Sequence, residues 1–256
     1  MGCCETREKI YPNEYHFSQE LTKPVFTPSM VANKHIEVDF EDLIEEDSQN
    51  KGVDLRADDI EIYLSQLISS FNWTTHAEKP DCVIKTKLGS AFNENLPVTL
   101  GLLDFGFVVP SKEVINLLYE SDLRMSWDQN LESVKLIQNS PNVFFLRLLK
   151  KFPFKSREFI LKVVVKTQSN QTSVIYYSVP NKDFPVCEER ERGECLFGMA
   201  KILERNSSTL FMQIEQVDNK QNPKPSICNL AATELTQWLS VFKRAVHDYH
   251  SVNTMQ

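Results

Sequence analysis

Near its C-terminus the sequence carries a long amphipathic stretch, and the residues before it must supply a surface to cover. Between Ser226 and His250, Ile227, Leu230, Ala231, Leu235, Trp238, Leu239, Phe242, Ala245, Val246 and Tyr249 recur three and four positions apart. That period places them on one face of an α-helix. Pro225 stands before the stretch and Ser226 can cap it. Such a helix gains most of its stability from packing, so an apolar surface of matching length has to exist elsewhere in the fold.

The preceding segments are almost all strand-like. Extended runs are expected at 134–138, 143–150, 157–166, 174–179, 194–204 and 209–217, separated by turn-rich pieces at 139–142, 168–172 and 206–208. Within 157–166, Phe159, Leu161, Val163 and Val165 share one face. Glu158, Lys162 and Lys166 share the other, joined by Ile160 and Val164. That alternation predicts a sheet with one face on a core or cavity and one mostly in water. Further upstream, Ile60, Leu64, Leu67, Ile68 and Phe71 form a helical face behind Asp58 and Asp59. Strands at 73–76, 82–88 and 98–108 follow, then a helix capped by Ser111 with Val114, Leu117 and Leu118 as its buried stripe. The order predicts an α+β fold in which a curved antiparallel sheet wraps a long C-terminal helix, a helix-grip arrangement.

Residues 1–56 read differently. Pro12, Pro24 and Pro28 punctuate them, no periodicity is sustained, and 39–47 holds six acids and no base. This composition predicts a flexible acidic tail ahead of a domain at 57–251. The start Met1-Gly2-Cys3-Cys4-Glu5-Thr6 fits an acylation signal, with Gly2 as myristate acceptor and Cys3 and Cys4 as palmitate acceptors. One myristoyl chain binds a bilayer only marginally, about 10⁴ M⁻¹, so the adjacent thiols matter as a second anchor. The expected location is the cytosolic face of a membrane, with the cysteines reduced.

Other functions find little support. A net charge of −7 argues against a nucleic-acid surface. No CxxC pair, metal-ligand spacing, phosphate loop or dinucleotide fingerprint occurs, and the five histidines sit in no nucleophile motif. The chain is therefore expected to use no metal and no cofactor, to have no catalytic residues, and to act as a monomer. The charged string 188–194 reads as a solvated loop.

Three local sequences, in order, resemble the START lipid-transfer family. Ser121 to Asp128 is similar to its Arg/Lys-x-x-Trp-Asp segment, and Phe152-Pro153-Phe154 through Phe159 to its aromatic-Pro loop and following strand. Val217-Asp218 through Pro223 is similar to its passage into the C-terminal helix. The chain departs from the pattern at Glu158, where Asp is usual, and at 219–221, where a glycine pair is often seen. It departs again at Val163, where many members carry a buried basic residue. The resemblance implies a single lipid held between sheet and helix: a sterol, phospholipid, sphingolipid or fatty acid. The lining residues it implies are Phe145, Arg147, Phe159, Leu161, Val163, Val165, Tyr176, Met199, Phe211, Gln213, Trp238 and Phe242. Arg147 is the one expected to meet a phosphate or carboxylate, unless its strand turns it to solvent. Lys150, Lys151, Phe152, Phe154 and Lys155 form a candidate membrane-docking loop, in which rings enter the interface and lysines meet anionic headgroups. The alternative is a membrane-tethered protein-interaction scaffold with a filled interior.

The anchor is tested by Gly2→Ala. The variant is expected to move from the membrane fraction to the soluble fraction of lysed cells; unchanged fractionation would remove the anchor.

Overall fold

The structure is a computed structural model that describes residues 55–254, apart from 71, 141, 153, 154, 183, 187 and 221–225. Gly2, Cys3, Cys4 and Phe154 therefore lie outside the described residues. Four helices and ten strands are described: α1 (Leu55–Ile68), β1 (Thr74–Lys79), β2 (Cys82–Leu88), β3 (Pro97–Asp104), α2 (Ser111–Tyr119), α3 (Ser121–Trp127) and β4 (Leu131–Asn139) come first. They are followed by β5 (Val143–Lys150), β6 (Arg157–Gln168), β7 (Gln171–Ser178), β8 (Glu191–Arg192), β9 (Glu194–Glu204), β10 (Thr209–Asp218) and α4 (Ile227–Thr254).

The strands form one sheet in the order β1-β2-β3-β10-β9-β7-β6-β5-β4. Every pair along that path is antiparallel, and the two-residue β8 adds a short parallel pairing to β6. Strands β1–β3 form one meander, and β4, β5, β6, β7, β9 and β10 form a second that returns to lay β10 beside β3. This is the helix-grip, α+β architecture, with α4 seated on one face of the sheet.

That face is set by alternation. Ile84, Leu103, Phe144, Leu146, Phe159, Leu161, Val163, Val174, Ala200, Ile202 and Phe211 all join one cluster with Ala232, Leu235, Leu239, Phe242 and Val246 of α4. Helix and sheet approach tightly at Gly101. A Cβ built there would stand 2.6 Å from Leu239 Cδ1 and 3.2 Å from Leu235 Cδ2, so only glycine lets α4 lie this low on β3.

The outer face carries a second, smaller core. Ala57, Ile60, Leu64 and Leu67 of α1 are buried, and the helix packs on β7 and β9. The Arg56 guanidinium stacks 4.4 Å from the Tyr177 ring, and Tyr63 meets Phe197 edge-on at 5.7 Å. Lys166 bonds to both Asp58 and Glu61, fixing the start of α1 to β6. Glu61 Oε2 lies 2.8 Å away.

Three local expectations change. Ser111 is the first residue of α2, not its cap. Its backbone N–H and its hydroxyl both donate to Glu204 Oε1, at 2.8 and 2.6 Å, so a carboxylate from β9 satisfies the helix start. The middle helix is two helices, broken at an extended Glu120. The charged string near 190 is structured: Arg157 pairs with Glu191 at 2.8 Å, and Glu191 N–H donates to Ser156.

Candidate functional site: the inner face beneath the terminal helix

The space between α4 and the sheet is built from side chains that alternate inward from every strand. Phe159, Leu161, Val163 and Val165 line it from β6, and Phe144, Leu146 and Leu148 from β5. Aromatic rings fill one part. Trp238 and Phe242 of α4 stack at 5.0 Å, and Phe242 contacts Trp127 and Phe211 at 5.1 Å each and Phe105 at 6.0 Å. The Trp238 indole N–H donates to Asp128 Oδ2 at 3.1 Å, and Asp128 in turn pairs with Arg124 at 2.7 Å. The Trp-Asp pair thus ties the middle helices to α4.

A polar row crosses this apolar face one residue pair beyond Gly101. The register aligns Thr99 of β3, Glu215 of β10, Gly198 of β9 and Tyr176 of β7. The Tyr176 ring lies over Gly198, where a Cβ would stand 2.0 Å from it. Its hydroxyl donates to Glu215 Oε2 at 2.9 Å and accepts from Gln213 Nε2 at 3.2 Å. Burial, followed by the charge of Glu215, pushes the Tyr176 phenol far above its usual range, so it stays protonated and donates. Burial likewise raises the Tyr119 phenol and the Cys195 thiol. The Gln213 carbonyl oxygen is buried and has no hydrogen-bond partner among the described residues. A buried acceptor left empty costs free energy, on the order of 1–3 kcal/mol, which a donor arriving from outside would offset.

Of the expected lining residues, Phe159, Leu161, Val163, Val165, Tyr176, Phe211, Gln213, Trp238 and Phe242 come together here. Three do not. Phe145 and Arg147 point outward, because Phe144, Leu146 and Leu148 take the inward positions of β5. Met199 is fully buried, but on the α1 side in alternation with Ala200 and beside Phe197. Residues that sequence reasoning missed include Trp127, Phe105 and Glu215. Trp127 was visible only as a family motif, Phe105 lies just past its strand, and Glu215 has an acidic side chain on a face read as apolar.

In the loop after β5, Lys151 Nζ donates to the Gln129 carbonyl at 2.8 Å. Phe152 is half-buried, with the Arg157 guanidinium 5.2 Å from its ring centre. Lys150 and Lys155 are half-buried as well, and the Lys155 carbonyl accepts from Arg157. No group of three or more His, Cys, Asp or Glu residues able to hold a metal occurs among the described residues, and no described helix is long and apolar enough to cross a membrane.

No family model matches this sequence, and no curated protein matches it. Solved structures do. Human STARD10 superposes with a TM-score of 0.70 at 16% identity, over 84% of this chain and 87% of that one. Human StAR-related lipid transfer protein 5 gives 0.67 at 15% identity, over 77% and 97%. The human StarD13 (DLC2) lipid transfer and protein localization domain gives 0.55 at 14% identity, over 79% and 98%. This chain has the START-domain fold.

Within the START fold, the outward turn of Arg147 has a purpose. Glu158, 2% exposed, receives Arg147 Nε at 2.6 Å and Arg192 Nη2 at 2.7 Å, with Arg190 at 3.7 Å. Burial by itself would raise the Glu158 carboxyl, but the hydrogen bonds and charges of Arg147 and Arg192 outweigh it and hold the group below its usual range. Arg147 also lies 5.2 Å from the Phe184 ring, and Arg192 reaches the Phe184 carbonyl at 2.7 Å. The charged string expected to be solvent-borne is therefore clamped to the outer sheet. The Glu158 carboxylate reaches both arginines, one with each oxygen.

A carboxyl depressed in the folded state stabilises above its unfolded pKa of about 4.3, and that stability is lost as pH falls through the folded value. Glu158→Gln is expected to cost about 3 kcal/mol at pH 7, since it leaves two arginines without their partner. Thermal melts should also show a shallower loss of stability between pH 6 and 3 in the variant. Equal melting temperatures at pH 7 would contradict the clamp.

Proposed function

We propose that this domain holds one lipid between α4 and the inner face of the sheet, as a carrier or sensor tethered to the cytosolic face of a membrane by acylation at Gly2, Cys3 and Cys4. The observation that carries the reading is the polar row of Tyr176, Glu215 and Gln213 on an otherwise apolar face, with the Gln213 carbonyl unpartnered among the described residues. A lipid tail entering such a space gains about 0.8 kcal/mol per methylene removed from water. A hydroxyl or amide on its headgroup would satisfy the empty acceptor. The names of similar structures, which include lipid transfer proteins, support the same reading.

Room for the guest is made by α4. Trp238 and Phe242 belong to that helix, so its displacement withdraws two rings and exposes Phe211, Trp127 and Phe105. The ties to be released are few: Trp238 to Asp128, Lys243 to Asp81 at 2.8 Å, and His250 to Glu113 at 2.9 Å. The partly exposed Lys243–Asp81 pair is worth under about 1 kcal/mol. The loop at 150–155 would meet anionic headgroups through its lysines. The chemistry is transport rather than catalysis.

The interlocked rings favour one competing reading, a scaffold whose filled interior never opens and whose outer surfaces recruit proteins. Native mass spectrometry of the full chain separates the two. The carrier should show a one-to-one adduct with the mass of a lipid, either on isolation from cells or after incubation with mixed-phospholipid and cholesterol liposomes. Apo protein alone under both conditions would overturn the carrier reading in favour of the scaffold.

A further inference from the structure

A second concavity opens between edge strand β1 and the flank of α4. It encloses about 350 Å³, within the usual range for small-molecule sites. Its floor is apolar: Ala77, Cys82, Leu103, Phe105 and Phe107. Its helical wall is polar, with Thr236, Ser240, Lys243, Arg244 and His247 falling three and four residues apart on one stripe of α4. None of the inward residues of β5, β6 or β7 lines it.

The charges at its rim are unbalanced. Lys243 Nζ donates to Asp81 Oδ2 at 2.8 Å, and that hydrogen bond holds the Asp81 carboxyl below its usual range, so this acid and base cancel. Lys79 and Arg244 are exposed and form no ion pair among the described residues. His247 meets the Phe107 ring edge-on at 5.7 Å and lies 3.4 Å from Asp248 Oδ1. The rim therefore carries two uncompensated cations, on a protein whose net charge is −7. An aqueous anion would gain little from two exposed cations alone. An anion attached to an alkyl chain gains from the floor and the rim together.

We propose that the β1–α4 groove is a second ligand site, which takes a single-chain anionic amphiphile. The alkyl chain lies on Leu103, Phe105 and Phe107, and the anionic head meets Lys79 and Arg244. The groove adjoins the space beneath α4 through Leu103 and Phe105, but its mouth and its cations lie on β1 and α4, and it is formed with α4 seated on the sheet.

The test uses the full chain, titrated with dodecanoate and with dodecanol, both below their aggregation limits, by isothermal calorimetry. Dodecanoate should bind about tenfold more tightly, the sum of two modest charge contacts. Lys79→Glu combined with Arg244→Glu should abolish that preference; both residues are exposed, so the fold should survive, which a thermal melt checks. Ala77→Trp, which fills the groove from the edge strand, should weaken both ligands by at least that factor. Equal affinity for the two ligands, a preference that survives the charge reversal, or binding undiminished by Ala77→Trp would each overturn the groove site. The last result would place the amphiphile beneath α4 instead.

Discussion

The apolar stripe of α4 against the inner face of the sheet organises this protein. The helix is 28 residues long, and its buried positions Ala232, Leu235, Leu239, Phe242 and Val246 recur on one side over its middle and later turns. Each large side chain among them contributes about 1.5–3 kcal/mol when fully buried. The stripe of α4 and the inward residues of the sheet bury apolar surface on each other. The two surfaces stabilise each other, and Gly101 sets how closely they meet. The helix packs on β1, β2 and β3 and reaches Phe211 of β10, so it spans the junction where β3 pairs with β10.

The two faces of the sheet treat polar groups in opposite ways. On the outer face, buried Glu158 is matched by Arg147 and Arg192 and tied to the 184–192 segment, so its charge is satisfied. On the inner face, Glu215 and Gln213 share one tyrosine hydroxyl, and one amide oxygen has no partner among the described residues. The outer network also holds a buried atom, Arg192 Nε, without a partner among the described residues, but its charges are matched, whereas the inner face leaves an acceptor open on an apolar wall. Under the proposed function the first is a supporting network and the second meets the ligand. Val163 is fully buried among apolar neighbours, and the polar groups of this face stand on β7 and β10.

Much of this architecture was legible in the sequence because its signals were periodic. Strands β2, β5 and β9 begin and end where their residue patterns place them, and the inward set of β6 follows from strict alternation. Reading failed where periodicity was degenerate. Strand β5 reads Val-Phe-Phe-Leu-Arg-Leu-Leu-Lys, apolar on both faces, so nothing in it chose between Phe144 and Phe145 as the inward ring. The outward choice was made by Glu158 on the next strand. Strand β9 is buried on both sides because α1 covers its outer face, and that docking is a tertiary fact invisible in the alternation around Met199. The cap of α2 comes from Glu204, and the clamp on Glu158 from Arg192. Both partners are distant in sequence, and no local pattern announces them.

The central claim is that α4 is a cover that lifts while the sheet stays intact. Hydrogen exchange resolved along the chain, with and without phospholipid vesicles, tests it most directly. The account predicts that amides in 227–254 exchange through an opening of lower free energy than those of β6, β7, β9 and β10, and that vesicles speed exchange in α4 alone. If α4 exchanges only with global unfolding, at the same rate as those strands and without response to vesicles, the helix is a fixed part of the core and the account is contradicted.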